Sequence, residues 1–311
     1  MTPKQAETIT VSGISVELSH TAKVFFSDPE VTKGDLVGYY RDMADRILPY
    51  LRERPLVMER YPDGITGQRI VQKNVPSYFP DWVTRTEIKK QGGSLVQVLA
   101  DKPATLVYLA NQACVEVHGF LSRIGSLDHP DQLIFDLDPP DGEHFDEVRR
   151  LALELRELLE GELGLTAFVK TTGGRGLHVH VPLAEHDDFD TARRFARQVS
   201  EVLAAREPNQ LTTQQRREGR GDRVYADVMR NSYAQTAVTP FSVRARPGAP
   251  VSTPLAWDEL EDPDLTPLRF TLRTVGERLD RLGASDPWAD LGRRRYGLAR
   301  PAQRLEKLAA S

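Results

Sequence analysis

The chain has 311 residues, 40% hydrophobic and 28% charged, with a formal net charge of −4. That length is long for one domain and short for three, and the composition supports a sizeable core. An acidic balance excludes a globally basic nucleic-acid binder, so any DNA contact must come from a local basic patch. No run approaches the roughly 18 apolar residues of a membrane span. The opening MTPKQAETITVSG does not read as a signal peptide. A single cysteine, Cys114 in an apolar run, excludes an internal disulfide and fits a reducing cytoplasm.

The first dozen and last ten residues read as frayed or docked tails. A helix is expected near Thr32, where Thr32 and Asp35 form a capping box and Leu36, Tyr40, Met43 and Ile47 share a face. Short strands are expected at Leu56–Glu59, Arg69–Gln72 and Thr105–Tyr108, and a stronger one at Gln132–Asp138, closed by two prolines. A helix carrying Phe145, Val148, Ala152, Leu155 and Leu159 follows. Then come a strand at Ala167–Lys170, a Gly-rich turn, a strand at Leu177–Leu183 and a helix with Phe195, Val199 and Val202 inward. After an arginine-rich loop, Arg223–Met229 is a strand again. This interleaving lacks strict βα alternation and predicts an α+β fold.

In Leu133-Ile-Phe-Asp-Leu-Asp138, Leu133, Phe135 and Leu137 take one face of the strand. Asp136 and Asp138 take the other, roughly 7 Å apart. Val224-Tyr-Ala-Asp-Val228 likewise turns Asp227 outward. If the strands are neighbours, three carboxylates converge. Two carboxylates about 4 Å apart repel by roughly 4 kcal/mol at an effective dielectric near 20. A divalent cation removes that penalty, and Mg²⁺ and Mn²⁺ favour such oxygens. Taken alone, Asp-x-Asp before Pro-Pro is also compatible with a solvated strand end. An aspartyl-phosphate phosphohydrolase is a further alternative.

The segment Lys170-Thr-Thr-Gly-Gly-Arg-Gly-Leu-His178 is not a Walker A loop. Its glycines allow close backbone approach to an anion, Thr172 offers a hydroxyl and Arg175 a fork for phosphate oxygens. His178 and His180 share a strand face. A ligand-free hairpin turn is the alternative. The loop holding Arg206, Arg216, Arg217, Arg220 and Arg223 is either a solvated mobile loop or a DNA contact beside Asp227. The run from Arg293 to Arg300 is a helix terminus, a linker or a second basic patch. Lys23 and Lys33 flank the expected helix start, where backbone N–H groups make a phosphate site, although such residues are also ordinary on a surface.

Several ordered motifs together carry a resemblance. Ile134-Phe-Asp-Leu-Asp-Pro139, the Lys170–His178 block, Ala226-Asp-Val-Met-Arg-Asn-Ser232 and Ser242-Val-Arg-Ala-Arg246 resemble the polymerase domain of bacterial ATP-dependent DNA ligase D. That domain belongs to the archaeo-eukaryotic primase superfamily. Arg60-Tyr-Pro-Asp-Gly-Ile65 and Val117-His-Gly-Phe120 fit in the same order. The resemblance implies a primase-like α+β fold over 14–292, an N-terminal tail over 1–13 and a basic tail or linker over 293–311. It implies metal ligation by Asp136, Asp138 and Asp227, with two Mn²⁺ or Mg²⁺ ions. Thr172, Arg175, His178, Arg230, Arg244 and His118 would hold the nucleotide. His20, Lys23 and Lys33 would hold a DNA 5′-phosphate, and Arg216, Arg217 and Arg220 would contact DNA.

It further implies ribonucleotide preference, action on gapped or broken DNA in end joining, a cytoplasmic, nucleoid-associated location, and Ku and a ligase as partners. A dedicated primase and a non-catalytic end-binding scaffold are the alternatives. Thr172 and Arg175 replace the Ser and Lys common in the family, and Ile70-Val71 stands where an aromatic pair often stacks on template bases.

Overall fold

The computed structural model describes residues 7–309, apart from 91, 143, 284 and 285. The chain opens with a hairpin of β1 (Glu7–Val11) and β2 (Ile14–Leu18), turned by Ser12 and Gly13 at positive φ. Val11 and Val16 are buried, so residues 7–13 are docked rather than frayed; residues 1–6 lie outside the described residues. A second hairpin, β3 (Val24–Ser27) with β4 (Glu30–Thr32), leads into α1 (Lys33–Asp42). The capping box forms: Asp35 N–H donates to Thr32 Oγ1 at 3.1 Å, and Thr32 N–H to Asp35 Oδ2 at 2.7 Å. The expected helix breaks at Met43, and α2 (Ala44–Leu51) continues it; Leu36, Tyr40, Met43 and Ile47 are all buried.

Next come β5 (Leu56–Arg60), β6 (Ile70–Gln72), the hairpin β7 (Arg85–Lys90) and β8 (Gly93–Val98), α3 (Pro103–Asn111) and β9 (Cys114–Phe120). The strand expected at Thr105–Tyr108 is instead part of α3. Pro103 fits a first helical turn, and the helix is buried almost all round, so it shows no helical stripe that a sequence could reveal. Cys114 is a buried free thiol that burial pushes up in pKa, a core side chain as expected.

The second half supplies β10 (Gln132–Asp138), α4 (Phe145–Glu157) with a π-helical turn at Leu158–Glu162, β11 (Phe168–Thr171), β12 (Leu177–Pro182), α5 (Phe189–Arg206), β13 (Leu211–Thr212), β14 (Val224–Asp227), β15 (Thr236–Val238) and β16 (Pro254–Leu255). Among the described residues, the main sheet has six strands in the order β13-β14-β10-β12-β11-β16. A four-stranded sheet has the order β15-β9-β5-β6. One face of the main sheet packs Leu133, Phe135, Leu137, Leu177, Val179 and Val181 into the core, with α4 and α5 against β10 and β12. Its other face carries the polar residues, as strand alternation requires.

The C-terminal part holds α6 (Val275–Leu282) and α7 (Ala299–Ala309). The basic run before α7 is not a free tail: Tyr296 N–H donates to Pro182 O at 3.2 Å, and Leu298 and Leu305 are buried. No helix among the described residues is long and apolar enough to cross a membrane.

Candidate active site

Antiparallel pairing places Asp136 opposite Asp227 on β14 and opposite His178 on β12. Asp136 therefore sits at the centre of the polar face, with Asp138 two residues along it. His178 Nε2 lies 3.4 Å and Arg230 Nε 3.9 Å from Asp136 Oδ2. Asp227 Oδ1 accepts from Met229 N–H at 2.8 Å. Burial raises the pKa of all three carboxyls, and nearby arginines only partly oppose it. Three crowded, half-desolvated acid side chains with oxygen donors suit a hard divalent cation, which would favour their ionised forms.

Another acidic group lies beside them: Glu59, Glu116 and His118 have possible ligand atoms within 4.8 Å of one another. Its charges are already matched, because Arg69 Nη2 lies 2.5 Å from Glu59 and Arg244 Nε 2.8 Å from Glu116. His118 Nε2 is 3.1 Å from Glu116 and 3.5 Å from Glu59. Burial works to raise the Glu116 carboxyl, but the His118 hydrogen bond and the Arg244 charge outweigh it and bring its pKa to about 2. The group is thus an ionic frame that fixes His118 and Arg244. Glu116 was not singled out in the sequence, yet its place two residues before His118 puts both on one strand face.

The Gly-rich turn is built around Thr172. Its hydroxyl donates to Gly176 O at 3.0 Å and accepts from Gly174 N–H at 3.1 Å, so it closes the turn. Gly176 has no room for a side chain, since a Cβ there would lie 1.9 Å from Leu137 O. Arg175 reaches back to Asp138, 3.2 and 3.4 Å from its two oxygens. Arg244 Nη1 donates to Thr172 O at 2.7 Å and so ties the turn to the Glu116 frame. Lys170, beneath the turn, is fully buried and donates to Ser252 Oγ at 2.5 Å. Burial lowers the pKa of Lys170 and of His178 well below their ordinary values. Lys170 stood in the motif without an assigned role; only its register opposite His178 reveals its place.

His20, Lys23 and Lys33 come together with Arg60 around a cavity of about 220 Å³. Lys33 is buried and donates to Ser19 Oγ at 3.2 Å, while Lys23 pairs with Asp63 at 2.8 Å. Burial, then the Lys23 charge, lowers Lys33 to about 8. The free amides expected at the helix start are engaged: Lys33 N–H donates to Lys23 O, and Gly34 N–H to Thr21 O, both at 2.8 Å. Attraction for an anion here rests on side chains.

The arginine-rich loop is more fixed than a mobile loop. Arg220 packs 3.7 Å over the Tyr225 ring and donates to Gln215 O at 2.8 Å, beside the strand position opposite Asp138. Arg216 and Arg217 are exposed on the turn. Arg206 ends α5 and pairs with Glu162, and Arg223 donates to the backbone of Gly219 and Arg220, so neither belongs to an open basic patch.

Comparison with known proteins agrees with this architecture. The family model described as "LigD, primase-polymerase domain" matches residues 32–288. The chain is 32% identical over 282 residues to the multifunctional non-homologous end joining protein LigD of Mycolicibacterium smegmatis, covering 88% of this chain and 37% of that protein. It is 31% identical over 262 residues to the bifunctional LigD of Bacillus subtilis, covering 84% of this chain and 42% of that protein. The polymerase domain of Mycobacterium tuberculosis ligase D, solved in complex with DNA, superposes with a TM-score of 0.83 at 28% identity, covering 90% of this chain and 99% of that one. The chain belongs to the LigD primase-polymerase domain family. It spans about two fifths or less of the length of these LigD relatives.

Proposed function

We propose that this chain is a template-directed nucleotidyltransferase of DNA end joining, adding nucleotides to a primer 3′-hydroxyl at gaps and broken ends. The observation that carries this reading is the strand pairing that gathers Asp136, Asp138 and Asp227 on one sheet face beside Arg175, Arg230 and His178.

Asp136, Asp138 and Asp227 would hold divalent cations, two of Mn²⁺ or Mg²⁺. When bound, these supply activation of the attacking hydroxyl and charge neutralisation at the leaving phosphate. Arg244 and His118, held by Glu116, face the triphosphate, and the backbone of the Thr172–Gly176 turn lets it approach closely. Arg175 and Arg230 add charge at the rim, and His178 borders Asp136. His20, Lys23, Lys33 and Arg60 hold the 5′-phosphate downstream of the gap, while Arg216, Arg217 and Arg220 follow the DNA backbone. The catalytic unit corresponds to 14–292. Ku and an ATP-dependent ligase are the proposed partners, by analogy with the end-joining relatives, and ribonucleotides the preferred substrates.

Offering the nucleotides one at a time to a singly gapped duplex tests this. Addition of the complementary nucleotide alone, faster for the ribo form and in Mn²⁺, is expected. Addition that ignores the template base would contradict the reading.

A further inference from the structure

The Ser242–Arg246 segment carries two arginines. Arg244 belongs to the Glu116 frame; Arg246 does not. The backbone of Arg246 is set by local sequence, because Arg246-Pro-Gly-Ala249 closes a turn with an Ala249 N–H bond to Arg246 O at 3.0 Å. Pro247 holds its second position and Gly248 its third, at a φ of +84°. A type II turn asks for these residues, since proline presets the second position and glycine enters positive φ without strain. The turn is anchored on both sides: Arg244 N–H donates to Pro250 O at 2.8 Å, and Gly248 N–H to Asp28 O at 3.2 Å. The Arg246 backbone is thereby fixed, while its side chain is exposed.

That side chain reaches across to the Gly-rich turn. A Cβ at Gly174 would stand 3.7 Å from Arg246 Nε and 3.8 Å from its Nη2, so the guanidinium lies beside the middle of the Thr172–Gly176 turn. Arg175, Arg244 and Arg246 therefore converge on one short turn, and they differ in what they touch. Arg175 is 3.2 Å from Asp138; Arg244 is 2.8 Å from Glu116 and donates to Thr172 O. Arg246 has no carboxylate within ion-pair distance among the described residues. Glu116 and Asp138 attract it from further away, but each is already paired, and Arg244 and Arg175 repel it more strongly. Burial first, then those two like charges, lowers its pKa. The carboxylates mark where metal and the reacting phosphate would sit. Arg246, in contact with none of them, stands at the opposite end of the phosphate path.

We propose that Arg246 is a specificity residue that binds the terminal phosphate of the incoming nucleotide and so selects triphosphates over diphosphates. This rests on the nucleotidyltransfer reading and names which phosphate the open end of that site holds. The planar fork of Arg246 takes two oxygens of the phosphate, and the bare backbone at Gly174 lets the phosphate close on the turn.

Calorimetric titration with ATP and with ADP tests it, in Mn²⁺ and on a gapped duplex with thymine as the template base. The primer is dideoxy-terminated, so nucleotide binds without being added. The unmutated protein is expected to bind ATP about tenfold or more tightly than ADP, the scale of one charge-assisted phosphate contact. Arg246→Ala should weaken ATP by that factor and leave ADP unchanged, so the preference vanishes; Arg246→Lys should keep part of it. The melting temperature should stay in place, because the side chain is exposed and unpaired. Arg244→Ala, by contrast, should weaken both nucleotides. An ATP preference that survives Arg246→Ala, or is absent from the unmutated protein, would overturn the proposal; primer extension by the unmutated protein would leave the wider reading standing. Equal loss of ATP and ADP would move Arg246 to an inner phosphate, and weaker duplex binding at unchanged ATP affinity would assign it to the DNA backbone. Either result overturns the proposal. Binding of neither nucleotide to the unmutated protein would bring down the nucleotidyltransfer reading as well.

Discussion

The residue that joins the most parts of the site is Glu116. It is 4% exposed, receives His118 and Ala245 N–H, and stands against Arg244. A hydrogen bond to a charged group contributes roughly 1.5–3 kcal/mol, so Glu116→Gln should raise the nucleotide KM about tenfold or more and change kcat less. Steady-state kinetics on a gapped duplex measures this; an unchanged KM would remove Glu116 from the frame. Because the folded pKa lies near 2, below the ordinary 4.5, this carboxylate stabilises the fold above about 4.5 and loses that effect as pH falls toward 2. The melting-temperature gap between wild type and Glu116→Gln should therefore narrow over that window. Asp136, Asp138 and Asp227 were legible because alternation along two short strands fixes which way a side chain points. The matching of Glu116 to Arg244 was not, since that contact depends on how the Ser242–Arg246 segment crosses β9.

At the scale of elements, the turn between β11 and β12 is the one proposed to receive the triphosphate. Gly176 is held against Leu137 O, and Gly173 has a φ of +62°. Gly176→Ala must push the turn away from β10, at a cost of about 1–3 kcal/mol for overpacking. Chemical denaturation should report that loss, together with a fall in nucleotide addition; a variant of wild-type stability and activity would show the turn to be loose. The strands at Gln132–Asp138 and Leu177–Pro182 were readable from their alternating pattern. Helix α3 was not, because Ala104, Leu106, Val107, Leu109 and Ala110 are buried on every side and leave no period to detect. The capping box at Thr32 was readable as local chemistry, whereas the break at Met43 carries no capping side chain to announce it.

At the scale of the whole molecule, the proposed 5′-phosphate pocket around His20, Lys23 and Lys33 is distinct from the proposed metal centre of Asp136, Asp138 and Asp227 on the main sheet. Lys33, lowered to about 8, is mostly charged near pH 7 and mostly neutral near pH 9 in the free protein. A bound phosphate favours the charged form, so the preference for a 5′-phosphorylated gap over a 5′-hydroxyl gap should shrink as pH rises across that range. Paired titrations at one salt concentration measure it, and an equal preference at both pH values would take Lys33 out of the contact. The most direct test of the central claim separates chemistry from binding. A labelled primer on a gapped, 5′-phosphorylated duplex is extended by wild type, Asp136→Ala and Asp138→Ala, with DNA affinity measured alongside. Loss of extension in both variants at near wild-type affinity is predicted; extension by either variant at a rate close to wild type would contradict a catalytic centre built on these carboxylates.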